Sequence, residues 1–281
     1  MRDEERPDPS SLIPHPSSLR VIVLGSGTSH GVPSVGCGCR VCCSPDPRDR
    51  RTRCGIVVRV GNATLLVDAP PELRLQVVRS YVERVDAVLF THSHADHIFG
   101  LDDVRRYNDA LGAALPIYAR ADVIEDLQRA FRYVFVETQA GGGKPRLAMT
   151  PIEGDCFEAA GVPVEAIPVY HGELPVTAFR FGRFAYVTDV SRLPDESMAR
   201  LRGLDLLILG AIRHAPPHPT HFTIGQALEV VAELRPRRAY FTHLTHEVPH
   251  RETEAGLPPG VRLAYDGLVL EVGGETVDSR Q

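Results

Sequence analysis

The sequence predicts a mixed α/β or α+β protein whose helices cover sheets, and three observations carry that expectation. Apolar runs of strand length recur from residue 20 onward, helix-period segments fall between them, and histidine or aspartate follows several runs directly. From the N-terminus, Val21 to Leu24 reads as a strand, and Ile56 to Val60 with Ala63 to Val67 as a hairpin about Gly61-Asn62. Val85 to Phe90 leads into a histidine cluster, and Val164 to Val169 leads into Tyr170-His171. Phe179 to Phe181 and Phe184 to Val187 form a hairpin about Gly182-Arg183 that runs into Thr188-Asp189. Leu204 to Leu209 is a buried run, Ala239 to Phe241 leads into Thr242-His243, and Leu268 to Val272 closes the domain. The clearest helix is Thr223 to Leu234, with Ile224, Ala227, Leu228, Val231 and Leu234 on one face. Thr223 and Gln226 have capping-box spacing at its start. Asp122 to Phe131 and Leu101 to Leu111 are further helices.

Composition narrows the class. Hydrophobic content of 43% and charged content of 24% are those of a soluble globular protein. The apolar runs, such as Leu204 to Ile212, fall far short of the ~20 residues a bilayer requires, so no membrane partner is expected. The N-terminus lacks the continuous apolar core of a signal peptide, which makes a cytoplasmic location the default. A net charge of -5 offers no overall attraction to nucleic acid. Residues 1 to 19 are rich in charge, Pro and Ser, repeat Pro-Ser-Ser-Leu, and are expected to be a disordered extension. Residues 20 to 281 form one domain with no dividing linker. Five of the six cysteines lie between Cys37 and Cys54, a clustering that in a cytosolic chain favours metal over disulfide.

His92-Ser93-His94-Ala95-Asp96-His97 sets three imidazoles and a carboxylate within six residues, where a buried strand breaks into a loop. Imidazole nitrogen and carboxylate oxygen suit Zn, Mn or Fe, so the cluster reads as a metal or hydrolytic site. The plainer alternative is a solvated His-rich loop. His171, Asp189 and His243 each follow a different strand, and residues launched from neighbouring strand ends converge at one sheet edge.

Together these motifs resemble the metallo-β-lactamase superfamily over residues 20 to 272. Asp68 after Thr64-Leu65-Leu66-Val67, the Thr91 to His97 cluster, His171, Asp189 and His243 match its five ligand motifs. The resemblance implies an α+β, four-layer αββα sandwich with two divalent metal ions, Zn or Mn, between the sheet edges. It implies that His92, His94 and His171 hold one ion, that Asp96, His97 and His243 hold the other, and that Asp189 bridges them. Asp96 then counts as a catalytic carboxylate as well as a ligand, and Asp68 braces the His loop from outside the ligand set. A water shared by two such ions is held as hydroxide near neutral pH. The chain departs from the family pattern after Asp68, where it reads Ala69-Pro70-Pro71 instead of a glycine-containing turn.

Cys37, Cys39 and Cys42 form a C-x-C-x2-C loop, a spacing that suits a tetrahedral Zn site needing one more ligand. The motif resembles the phosphodiesterase branch that includes the phosphoribosyl cyclic phosphodiesterase of phosphonate breakdown. That resemblance implies a structural Zn completed by His246 in Thr242-His243-Leu244-Thr245-His246. Cys43 and Cys54 are left over, and Cys156 is expected to be a buried apolar residue. The same branch carries a substrate-facing His where Pro219-Thr220-His221-Phe222-Thr223 enters the helix, which makes His221 the candidate acid for the leaving alkoxide. Its rival is a structural His at the helix start. His214 and His218 are loop residues without an assigned role. Gly25 to Gly31 lacks the third glycine of a dinucleotide loop and reads as a tight turn into the Zn loop, with His30 a candidate to face the site.

The function expected is hydrolysis of a small-molecule phosphodiester, cyclic ones included, by a metal-dependent enzyme; a homodimer is compatible with the sequence. The alternatives are an RNA-processing nuclease of the same superfamily, for which no basic insert is evident, and a non-catalytic accessory protein resembling the pyrroloquinoline quinone pathway member.

Overall fold

Period-two alternation sorts each apolar run onto two faces, and that decides the layers. The computed structural model describes residues 19–137 and 143–273. Its first half comprises β1 (Leu19–Gly25), β2 (Gly55–Val60), β3 (Ala63–Val67), α1 (Leu73–Arg79), β4 (Ala87–Leu89) and α2 (Ala95–Ile98). It continues with α3 (Arg105–Leu111), β5 (Leu115–Ala119), α4 (Ala121–Ala130), α5 (Arg132–Phe135) and β6 (Leu147–Pro151). The second half runs through β7 (Cys156–Ala159), β8 (Val162–His171), β9 (Leu174–Phe181), β10 (Phe184–Val187), α6 (Asp195–Arg200) and β11 (Leu206–Gly210). It ends with α7 (Ile224–Leu234), β12 (Arg238–Thr242), α8 (His250–Ala255), β13 (Val261–Leu263) and β14 (Val269–Val272).

Two seven-stranded sheets result, ordered β14-β1-β2-β3-β4-β5-β6 and β13-β12-β11-β10-β9-β8-β7. Val21, Val23, Leu65 and Val67 of the first meet Phe179, Phe181, Leu206 and Ile208 of the second, forming the central core. Their alternate neighbours Ile22, Leu24 and Leu66 face outward against Leu73, Leu101 and Leu127 of the first helical layer. Leu207, Leu209 and Phe241 face outward under Ile224, Ala227 and Leu234 of α7. Strands apolar on both faces must be covered on both, and the outcome is the four-layer αββα sandwich. The helices are short; among the described residues none is long and apolar enough to cross a membrane.

Parallel pairing is what builds the site edge. β3 runs parallel to β4, with Val67 opposite Leu89. β10, β11 and β12 are likewise parallel, with Val187 opposite Leu209 and Leu209 opposite Phe241. The residues that follow these strands therefore emerge on one side. The two sheets are laced there by the Thr177 amide, which donates to the Thr91 carbonyl at 2.9 Å.

Both hairpins form as expected, turning on Gly61 (φ 56°) and Gly182 (φ 60°). The capping box also forms: Thr223 Oγ1 accepts from the Gln226 amide, and Gln226 Oε1 accepts from the Thr223 amide. Other elements differ. Leu19, expected in the N-terminal extension, is the first residue of β1 and pairs with Val60 and Val272. Residues 1–18 lie outside the described residues. The expected helix Leu101 to Leu111 divides into a 3-10 turn over Leu101–Val104 and α3. The strand read from Val85 is laddered only from Ala87; at Asp86 the side chain accepts from the Thr64 amide (2.9 Å) and from Arg84 (2.6 Å).

Candidate metal centre

Three side chains reach the site by the same backbone device. Asp68, Asp189 and His243 stand at or just beyond the ends of β3, β10 and β12, with φ of 63°, 48° and 62°. A left-handed residue reverses the chain within one step, at a cost of order 1–3 kcal/mol that the surroundings must outweigh. At Asp68 they do so with hydrogen bonds. Its carboxylate accepts from the Thr91 amide (2.9 Å), the Thr91 hydroxyl (2.9 Å) and His97 Nδ1–H (2.8 Å). Ala69 and Pro70 complete the brace in place of a glycine turn. The Ala69 amide donates to the His97 carbonyl at 2.7 Å, and the Gly100 amide to Ala69 at 2.8 Å. Gly100 supplies the missing glycine from the other side, since a Cβ there would meet the Pro70 carbonyl at 2.1 Å.

The histidine tautomers follow from these partners. His97 commits Nδ1–H to Asp68, which turns the lone pair of Nε2 inward, 3.1 Å from Asp189 Oδ2 and 3.4 Å from Asp96 Oδ2. Because the Thr91 hydroxyl proton goes to Asp68, His92 Nδ1–H donates to the Thr91 oxygen (2.9 Å) and its Nε2 is left free. His171 commits Nδ1–H to the Thr220 carbonyl at 2.7 Å. His243 Nε2 stands 3.2 Å from Asp189 Oδ1 and 3.8 Å from Asp96 Oδ2. His94, exposed at the rim, packs its ring 4.5 Å from His92 and 5.2 Å from His171.

His92 Nε2, His97 Nε2 and both ring nitrogens of His243 are buried without a hydrogen-bond partner. Each such atom costs about 1–3 kcal/mol unless something accepts its lone pair. The Nε2 atoms of His97 and His243, set beside Asp96 and Asp189, are placed to meet a cation. Ligand atoms of His92, His97 and Asp189, of Asp96, His97 and His243, and of His171, Asp189 and His221 lie within 4.8 Å of one another in each group. The electrostatics agree. Burial works against charge on Asp189, yet His243 and His97 hold its pKa well below the carboxylate range. Burial likewise opposes charge on His97, but Asp189, Asp68 and Asp96 together raise its pKa well above the usual value, so positive charge is favoured at Nε2, whether a proton or a metal ion supplies it. Three carboxylates in a buried space call for positive charge.

His221 is brought to this group. Its ring stacks on His243 at 4.6 Å and meets His171 edge-on at 4.4 Å, with Nδ1 4.0 Å from Asp189 Oδ1. Burial, then the neighbouring rings, push its pKa down to about 2. His30 is exposed on its turn and belongs to none of these groups, and His214 is exposed as well.

The cysteine loop closes on a residue two hundred positions away. His246 Nδ1 lies 3.2 Å from Cys37 Sγ, 3.4 Å from Cys42 Sγ and 3.7 Å from Cys39 Sγ, and the four ligand atoms form one group. The Gly25 to Gly31 turn packs against the segment that leaves this loop: a Cβ on Gly27 would come within 2.8 Å of the Arg51 carbonyl. Cys43 is exposed, and Cys54 is buried against the Gly27 carbonyl and the Thr242 hydroxyl. Cys156, expected to be buried, is exposed, because β7 is the last strand of its sheet and turns that residue outward.

Two supports escaped the sequence reading. Arg51, wholly buried, donates to the Thr245 carbonyl (2.9 Å) and the Val248 carbonyl (2.7 Å) on either side of His246, and pairs with Asp49 at 3.2 Å. Asp266 accepts from Ser26 and Thr52, joining the first turn to the exit of the cysteine loop. Neither has a local spacing signal.

Comparison with known proteins bears on the same residues. Residues 63–244 match the model of the Beta-lactamase superfamily domain. A crystal structure described as a new diphosphatase from the PhnP family superposes with a TM-score of 0.85 at 42% identity, covering 90% of this chain and 97% of that one. Zn(2+)-bound PqqB from Methylobacterium extorquens shares the fold, with a TM-score of 0.73 at 22% identity over 89% of this chain and 99% of its own. An Octanoyltransferase from Porphyromonas gingivalis is 36% identical over 253 residues, which is 89% of this chain but 51% of that protein. The chain thus spans about half the length of that curated relative.

Proposed function

Because this chain belongs to the metallo-β-lactamase superfamily, in its PhnP branch, we propose that it is a metal-dependent hydrolase that cleaves small phosphate diesters, cyclic ones included, at a paired metal site. The observation that carries this reading is the set of buried, unpartnered imidazole nitrogens converging on two carboxylates. His92, His94 and His171 would hold one divalent ion and Asp96, His97 and His243 the other, with Asp189 placed between the two sets. Cys37, Cys39, Cys42 and His246 hold a structural Zn that fixes His243 through the short segment between them. Divalent ions bound there would supply an activated water and neutralise phosphoryl oxygens.

The protein's own groups do the rest. Asp68 keeps His97 in its Nδ1–H tautomer, and the Thr220 carbonyl does the same for His171. His221 protonates the leaving oxygen. Burial keeps its ring neutral in the free protein, so it takes up a proton from solvent as the anionic substrate binds, whose charge opposes that burial. A second reading, cleavage of a diphosphate linkage, is favoured by the 42% identity to a protein described as a diphosphatase. The PqqB likeness, at 22% identity, carries fold alone.

The test is a panel of bis-p-nitrophenyl phosphate, a ribose cyclic phosphate and a dinucleoside diphosphate. Turnover of one or more is expected; activity confined to thioesters or lactams would remove the phosphate reading. His221→Ala should lower kcat for the ribose ester by about 10²–10⁴, the usual worth of a general acid. The loss should be much smaller for p-nitrophenolate, which leaves without a proton, and metal content should be unchanged. A parallel loss of metal would make His221 a ligand instead.

A further inference from the structure

His218 is a half-buried imidazole outside every group of candidate ligands, yet its ring lies 4.9 Å from that of His221. Its Nδ1 accepts from the Thr220 amide at 3.3 Å and contacts the Thr220 hydroxyl at 3.1 Å. An amide N–H can only donate, so Nδ1 is unprotonated and the ring proton is on Nε2. The bond closes a turn between residues two apart, of the kind that short polar side chains make with the backbone ahead of them. What the turn orients is the Thr220 carbonyl, which accepts His171 Nδ1–H at 2.7 Å. The fit is close on the far side too. Gly172, at φ 63°, leaves room for the Thr220 methyl, which a Cβ there would approach to 3.0 Å.

We infer that His218 is a positioning residue: by fixing the Thr220 turn it sets the tautomer and aim of His171, and so the hold of the protein on one catalytic ion. The inference rests on the reading of His171 as a ligand. Outer partners of ligand histidines commonly contribute 10–100-fold in metal affinity. Because the Thr220 carbonyl survives loss of the imidazole, the expected effect is about tenfold, the low end of that range.

The experiment compares metal-loaded wild type with His218→Ala, His218→Asn and Gly172→Ala. Loss of Mn or Zn to a competing chelator is read by elemental analysis, with kcat and KM on bis-p-nitrophenyl phosphate at saturating metal. An Asn Oδ1 can accept where Nδ1 does. His218→Ala should weaken retention of one ion about tenfold with KM unchanged, His218→Asn should restore it to within a few-fold, and Gly172→Ala should imitate the loss. Unchanged retention with a raised KM would mean that His218 meets substrate, and the inference would be wrong. Failure of Asn to rescue would also overturn it. Wild type retaining only one ion, at the thiolates, would sink the paired-site reading itself, a result separable from both.

Discussion

Asp189→Asn is expected to strip the protein of its catalytic metal and to lower kcat/KM by roughly 10³–10⁵, the equivalent of the several kcal/mol of charge stabilisation that a metal site supplies. Asp189 is almost fully buried, with one oxygen 3.1 Å from His97 Nε2 and the other 3.2 Å from His243 Nε2. It is also the carboxylate shared by the candidate groups containing His92 and His171. Asn is the right replacement because it tolerates the left-handed backbone, at φ 48°, that Ala would strain. The Thr188 hydroxyl, 2.8 Å from Asp189 Oδ2, still finds an acceptor in the amide oxygen. Fold and thiolate-bound ion should therefore survive, and the loss should be confined to the paired site. Elemental analysis with steady-state kinetics reads both; near-normal turnover would take Asp189 out of the centre.

The second large effect separates stability from metal. Asp68→Ala removes the acceptor for the Thr91 amide, the Thr91 hydroxyl and His97 Nδ1–H, all buried. Breaking a buried pair by deleting one partner costs about 3–5 kcal/mol, and Ala also strains the left-handed backbone at φ 63°, so the denaturation midpoint should fall sharply. Asp68→Asn should behave differently. Its amide oxygen still accepts from Thr91, but the NH2 group cannot accept from His97 Nδ1–H. His97 would then favour the other tautomer, placing a proton on Nε2 toward Asp96 and Asp189. Most of the stability should return while metal binding at His97 stays lost. Equal metal content in the Asn variant and wild type would show that the tautomer does not matter.

The parts of the fold that launch the site were legible because strands covered on both faces read as unbroken apolar runs. Phe184 to Val187, followed by Asp189, and Ala239 to Phe241, followed by His243, are examples. The Thr223 capping box was legible because both partners lie within four residues. β5, β6 and β13 were not: they are short, β5 and β6 contain proline, and they owe their conformation to neighbours far along the chain. The break of Leu101 to Leu111 into a turn and a helix left no mark on the apolar period. In the site, the His92 to His97 cluster announced itself by local density. His246 came only from the family likeness, since nothing near it in sequence requires thiolates. Arg51, the Thr220 carbonyl and the left-handed φ of Asp68, Asp189 and His243 were invisible, because backbone groups and long-range clasps have no residue-type signature.

The most direct test of the paired site is the metal stoichiometry of the purified wild-type protein before and after mild chelation. The account predicts about three ions per chain, two at the paired site and one held by the thiolates. The pair should leave together with hydrolytic activity, while the thiolate-bound Zn stays. A single ion per chain, with diester hydrolysis indifferent to the chelator, would contradict it.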